Sequence, residues 1–392
     1  MKRIDTDIAD LELRANRGAF FISGWDKSED IMNAPSNLAE EAAHKQTGYN
    51  RYFFMSTIPE AKKRFCQDVF GVNDNNKINS NCISIAPNGT AGTFLSILAI
   101  KDVYGISNVL LISPTYYADI NVVQTLGMSL FFLQANPFCS NLIDFNKLEE
   151  NILQNNIQLI IIIDPPLGTG IAIDMLTYSN IWNLARKYDI WVLIDYVYGG
   201  MEWERPVAIV NEKLLQMIIE SPKAILIESI SKRLFFNGAK NAVIYTNPRL
   251  VKVIEEMSES FIGSFSCVQY ELFNQIYDRK NRQVVLMQIE KNIEYVKSTF
   301  ELIKSTTLGY DILLSHANCG YFALIGVPIK RLGGLTDKQA AFCIADKTNI
   351  LTIPHTRYLF DLKDYYCFRI NLAMDRLSLV KSINLLLDTY FD

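Results

Sequence analysis

The sequence is poor in the residues from which metal centres, disulfide frameworks and histidine-based sites are built. Its three histidines, His44, His316 and His355, are far apart, with neither H-x-H nor H-E-x-x-H spacing, so neither a metal site nor a Ser-His-Asp triad is expected. The seven cysteines, Cys66, Cys82, Cys139, Cys267, Cys319, Cys343 and Cys367, are odd in number and never closer than sixteen residues. That spacing argues against a disulfide framework or a C-x-x-C metal knuckle, and buried free thiols are expected. A basic stripe is also missing: 38 Lys and Arg are scattered among 42 Asp and Glu for a net charge of −4, and nucleic acid is not an expected partner. The longest apolar runs, such as "LIIII" (159–163) and "VLLI" (109–112), fall well short of the roughly 18 residues of a membrane helix. The opening "MKRIDTDIADLELR" has no apolar h-region, so neither a signal nor a transit peptide is expected, and the cytoplasm is the expected location. No internal repeat, low-complexity tract or Gly/Ser linker interrupts the 392 residues.

What the chain does have is order. Between residues 82 and 246, strand-length apolar runs alternate with helical patterns: "CISIAPNG", "VLLISP", "SLFFLQ", "LIIIID", "IWVLIDY", "AILIES" and "AVIYTNP". Hydrophobicity that is continuous rather than alternating predicts strands buried on both faces, in a mainly parallel sheet with helices on either side. A long helical stretch from about 266 to 305 leads into a smaller α+β unit, with strands near 321–327 and 367–373. The expected division is a large three-layer α/β/α domain over 50–290, and a smaller α+β domain from 1–49 and 291–392 whose N-terminal segment packs on its C-terminal part.

In a parallel sheet, ligands bind beyond the C-terminal strand ends, so the residues following each run matter most. "IAPNGTAGT" gives a small-residue loop and a helix start at Thr90, Ala91 and Gly92, either an anion site or an ordinary strand-to-helix turn. It contains no G-x-G-x-x-G and no G-x-x-x-x-G-K-[ST], which removes the dinucleotide and P-loop readings. "SPTYY" places Tyr116 where it could stack on a planar ring or fill the core. "IDYVY" ends a strongly apolar strand with Asp195 and Tyr198. A buried carboxylate there needs a partner, for which a protonated heterocycle nitrogen would serve, or it is a helix cap. "ESISKRLFF" holds Lys232 between apolar stretches, where an amine loses proton affinity and becomes a nucleophile and base. Anion loop, aromatic, carboxylate and lysine in that order suit pyridoxal phosphate.

From about residue 20 to its end the chain resembles the fold-type I pyridoxal-phosphate enzymes of the class I/II aminotransferase family, whose fold is that of aspartate aminotransferase. "SISK" is the most specific piece. The resemblance implies that Lys232 is the Schiff-base lysine, that Ser229 and Lys240 hold phosphate, and that Thr90, Ala91 and Gly92 offer it amides. It implies that Tyr116 stacks on the ring, Asp195 binds the pyridine nitrogen and Tyr198 the phenolic oxygen. In "ISGWDKSED" Gly24 matches the glycine that approaches the substrate carboxylate, and in "CFRINLA" Arg369 matches the arginine that forks onto it. Tyr52, in "YNRYFF", has the spacing of the tyrosine that reaches the neighbouring subunit's phosphate, which implies a homodimer with composite sites.

Two positions depart from the pattern. "DPPLGTG" puts Leu167 where the family has the asparagine that donates to the phenolic oxygen, and Lys240 replaces an arginine, keeping the charge but losing the planar fork. The expected function is an aminotransferase acting on an L-amino acid. Because the altered position touches the cofactor's electronics, a lyase or cyclase related to capreomycidine synthase stays open, as does a cofactor-binding sensor without turnover. Arg279, Arg282, Arg357 and Arg376 are candidates for a second carboxylate contact, or plain surface charges.

Overall fold

The apolar runs fold into strands because each has two hydrophobic faces to hide. The computed structural model describes residues 18–25, 27–28, 36–44, 59–71, 79–139, 142–238, 240–263 and 266–391. After a two-residue strand, Phe20–Phe21 (β1), the chain enters a seven-stranded sheet. Its members are Ile83–Ala86 (β2), Asn108–Ser113 (β3), Ser129–Gln134 (β4), Leu159–Ile163 (β5), Trp191–Tyr196 (β6), Ala224–Glu228 (β7) and Ala242–Tyr245 (β8), in spatial order β2-β8-β7-β6-β5-β3-β4. All run parallel except β8, which is antiparallel to both neighbours. "LIIII" shows why continuous apolarity was required. Ile160 and Ile162 face one cluster, with Ile181 and Trp182 of helix 175–187 and Leu214 of helix 212–220. Leu159 and Ile161 face the other, with Leu95 and Ile100 of helix 89–104 and Ile254 of helix 248–261. The result is three layers, helix on sheet on helix.

Side-chain caps start most of these helices: Asn88, Asp144, Asp174, Asn211 and Asn247 each accept a backbone N–H of the first turn, a contribution of about 1 kcal/mol apiece. The predicted helix from 266 to 305 is two helices, Cys267–Tyr277 and Arg282–Thr306. Asp278 leaves the helical region at ψ 128° and caps the turn that follows, which is what divides them.

Leu313–Leu314 (β9), Phe322–Pro328 (β10) and Tyr365–Asn371 (β12) form an antiparallel sheet in order β12-β10-β9. Ile350–Leu351 (β11) pairs in parallel with β1, tying residues 20–21 to the C-terminal third.

One buried ion pair fixes the turn after β7. Glu228 and Arg233 are 2% and 0% exposed. Arg233 donates to Glu228 and to the carbonyls of Ala208 and Ile209 at 3.0 and 2.8 Å, and Tyr245 donates to the second Glu228 oxygen at 3.2 Å. The short helix Ile230–Arg233, which carries Lys232, is closed by this pair. Arg233→Met would strand Glu228 in the core, and a loss of about 3–5 kcal/mol is expected from urea unfolding. A loss below about 1 kcal/mol would show that the pair does not hold the turn.

Candidate active site

The strand ends converge on one pocket. It is lined by Asn88, Gly89 and Thr90 after β2, Tyr116 after β3, Ile163 and Leu167 at β5, Asp195, Val197 and Tyr198 at β6, and Ser229, Ser231 and Lys232 after β7. Lys240 joins them because β8 runs the other way, so that its start lies at this edge. Trp25 closes the pocket from the N-terminal segment. Thr90, Tyr116, Leu167, Asp195, Tyr198, Ser229, Lys232 and Lys240, singled out in the sequence, are thus brought together. Tyr52 lies outside the described residues.

Two of the three amides expected to face an anion, those of Ala91 and Gly92, are taken within the helix that starts at Gly89. Asn88 accepts the Ala91 amide at 2.8 Å and, through its carbonyl, the Gly92 amide at 3.0 Å. Gly92 packs inward against Ile227 and Ile244. The amides left at the open end of the helix are those of Gly89 and Thr90. The Ser229 hydroxyl donates to the Asn241 carbonyl at 2.5 Å, so it fixes the turn before it can serve a ligand.

Charge in the pocket is largely dry. Burial first, then the charges of Lys240 and Arg369, pull the Lys232 amine down to about 7 against the opposing pull of Asp195. Its Nζ stands 4.8 Å from the Trp25 ring centre and 5.5 Å from that of Tyr198; its hydrogen-bond partner is the Asn237 amide oxygen at 3.5 Å. Burial also pushes the Asp195 carboxyl up to about 6, opposed by the Val197 N–H that it accepts at 3.1 Å and by Lys232. Asp119, buried on the helix after Tyr116, is held well above its ordinary range by burial and then by Asp195.

Arg369 is 0% exposed, although β12 is an edge strand of its sheet. Its Nε donates to the Ser23 carbonyl at 3.0 Å while the Ser23 hydroxyl donates to the Arg369 carbonyl at 2.6 Å. Gly24, next in the chain, is buried with its amide on the Phe21 carbonyl at 3.1 Å. Nη1 and Nη2 of Arg369 have no hydrogen-bond partner among the described residues. They lie against the rings of Trp25 and Phe322, whose centres are 3.9 and 4.5 Å from the guanidinium carbon. Two dry donors left open on a planar fork fit a carboxylate. Leu167, 2% exposed, packs on Ile353 and Tyr358 and brings no donor to the pocket.

Trp25, Asn88, Gly89, Val197 and Ser231 were not picked out from sequence. Asn88 and Val197 carried a usable signal, a helix cap and the residue inside the "DYVY" turn; Trp25 reaches the pocket only through long-range packing.

The family model "Aminotransferase class I and II" matches residues 25–381. The aspartate aminotransferase of Sulfolobus acidocaldarius is 20% identical over 317 residues, 77% of this chain and 73% of that protein. That of Pyrococcus horikoshii is 25% identical over 244 residues, 60% of this chain and 58% of that one. Among solved structures, an Escherichia coli protein identified with a methionine aminotransferase function superposes with a TM-score of 0.79 at 15% identity, covering 98% of this chain and 97% of its own; this shows the shared fold.

The position of Lys232 has a consequence for stability in the cofactor-free protein. Unfolded, the amine keeps its proton up to about 10.4; folded, it loses it near 7. Between those values the unfolded chain binds more protons, so stability rises with pH. The urea midpoint of the wild type should gain on that of Lys232→Met from pH 7 towards 10, and parallel curves would contradict a dry amine.

Proposed function

The chain belongs to the aminotransferase class I and II family, and from that membership we propose a pyridoxal-phosphate-dependent aminotransferase that acts on an L-amino acid through Lys232. The observation that supports it most is the meeting of a neutralised lysine and a buried carboxyl in one pocket, with the open fork of Arg369 packed on Trp25, which lines it.

The residues fit the cofactor. The Gly89 and Thr90 amides, with Lys240 and the serine turn at 229–231, would hold its phosphate. Tyr116 and Val197 would bound its ring, Asp195 would keep the ring nitrogen protonated, and Tyr198 would donate to the phenolic oxygen. Leu167 leaves that oxygen to Tyr198 on the β5 side. Pyridoxal phosphate, when bound, supplies the electron sink for the bond broken at the substrate's α-carbon. Arg369 grips the α-carboxylate and sets the α-hydrogen towards Lys232. Lys232, unprotonated near neutral pH, takes that proton and returns it as general base and acid. The packed rings of Trp25, Tyr116 and Tyr198 exclude water from the exchange.

The proposal extends to a large unit over 50–290, a small unit from 1–49 and 291–392 with the pocket between them, and a homodimer in which Tyr52 completes a neighbouring site. No helix among the described residues is long and apolar enough to cross a membrane.

The purified protein should take up pyridoxal phosphate with the yellow absorbance of a lysine-bound cofactor, which borohydride fixes to the chain; Lys232→Ala should do neither. An L-amino acid alone should bleach that absorbance once, with an equivalent of keto acid, and Arg369→Ala should cost roughly 2–5 kcal/mol in kcat/KM. Sustained product without a keto acid would instead mean elimination, cleavage or cyclisation, and a spectrum that no amino acid alters would mean a sensor. Leu167→Asn should shift the pH titration of the cofactor's absorbance; an unmoved titration would place residue 167 out of its reach.

A further inference from the structure

Lys27 is a second amine beside the pocket, and the chemistry above does not use it. Three residues beyond Gly24, its stem is half-buried while its Nζ is sealed and without a hydrogen-bond partner among the described residues. The amine stands 3.6 Å from the ring centre of Tyr321 and 3.8 Å from that of Phe235. An ammonium carries three donors, and ring faces satisfy none of them by hydrogen bonding. Burial, then the charge of Lys232, hold its pKa well below the ordinary lysine range.

Lys27 and Arg369 share one row of rings. Trp25 meets Phe322 at 5.4 Å between centres, Phe322 meets Tyr321 at 4.7 Å, and Tyr321 meets Phe235 at 5.4 Å. Arg369 lies on the first two and Lys27 on the last two. Tyr198 joins the Lys27 end to the pocket: its ring is 5.4 Å from Tyr321 and 5.5 Å from the Lys232 amine. Two buried basic groups with open donors thus stand on one row of rings.

The charge balance points the same way. Among the described residues, Lys27, Lys232, Lys240 and Arg369 stand around the pocket against Asp195 and Asp119. A phosphate and one α-carboxylate would answer Lys240 and Arg369 and leave Lys27 without an anion among the described residues. The arginines singled out for that task are engaged elsewhere: Arg282 donates to the Val69 carbonyl, Arg376 to Ser298 and Thr299, and Arg279 is exposed. Arg357 is nearer, over the Tyr117 ring at 4.9 Å, at the opposite side of Tyr116.

We propose that Lys27 receives a second carboxylate on the substrate, so that the site takes an α-amino acid with a distal carboxylate; this rests on the aminotransferase reading. A neutral amino acid would leave the Lys27 donors dry and unpaired, a mismatch that a site of this kind rejects strongly. A carboxylate beside Lys27 favours the protonated amine, so its arrival raises the lysine's proton affinity.

The test uses the cofactor-loaded protein, following the cofactor's absorbance with L-aspartate and L-glutamate against L-alanine and L-norvaline, in wild type, Lys27→Met, Lys27→Arg and Arg357→Met. The wild type should favour the acidic pair. Their kcat/KM ratio over the neutral pair should fall ~10- to 100-fold in Lys27→Met, recover in part in Lys27→Arg and hold in Arg357→Met. Should Lys27→Met not fold, calorimetry of the wild type in buffers of different ionisation heat decides: succinate should take up more protons on binding than propionate. A wild type that favours neutral amino acids, a ratio unmoved in Lys27→Met, a loss confined to Arg357→Met, or equal proton uptake would each overturn the inference and leave the aminotransferase reading intact. Failure of every amino acid to alter the bound cofactor would overturn both.

Discussion

Strands that run parallel deliver their C-terminal ends to one edge, and this chain places its chemistry wherever that edge occurs. Asn88, Tyr116, Asp195 and Lys232 are distant in sequence and adjacent in space because β2, β3, β6 and β7 share a direction. The reversal of β8 belongs to the same constraint. A strand entering from that edge brings Lys240, two residues before it, into the pocket. A seventh parallel strand would have carried that cation to the far side of the sheet.

Desolvation then converts the assembled groups into chemistry. A lysine in water is protonated and inert as a base; here burial and two neighbouring cations outweigh Asp195 and leave the amine half-neutral near pH 7. The same dryness makes each unpaired donor costly, and the open Nη groups of Arg369 and the Nζ of Lys27 persist because the surrounding rings hold them in place. The pocket is a cationic shell that anions complete.

Much of this was legible from the sequence because its physics is local. A run such as "LIIII" has to be a strand with two covered faces, and the residue after it has to lie at the ligand edge. Reading failed where the determinant lies elsewhere in the chain. Lys27 looks like a surface charge in "GWDKSED"; Phe235 and Tyr321, more than two hundred residues on, bury its amine. "SLFFLQ" reads as apolar on both faces, yet β4 is an edge strand and Phe132 is 50% exposed. The amides of Ala91 and Gly92 could not be known to be taken until Asn88 was seen to cap the helix. Arg369 is buried on an edge strand because Ser23, Trp25 and Phe322 close over it.

The departure at Leu167 shows how a site can change its electronics while its frame stays fixed. The loop carrying Leu167 is positioned by its backbone. Its carbonyl accepts from His355 Nε2 at 2.8 Å, and burial holds that imidazole down to about 3, neutral and able to donate throughout the physiological range. Gly168 and Gly170 have left-handed backbones, at φ of 78° and 68°. A Cβ at Gly168 would come within 2.8 Å of His355, and one at Gly170 within 2.2 Å of the Phe322 carbonyl. None of these contacts involves the side chain of residue 167, so leucine or asparagine there would sit on the same backbone. Substitution at this position therefore changes the side chain that the β5 loop presents to the pocket and leaves the loop's backbone contacts as they are.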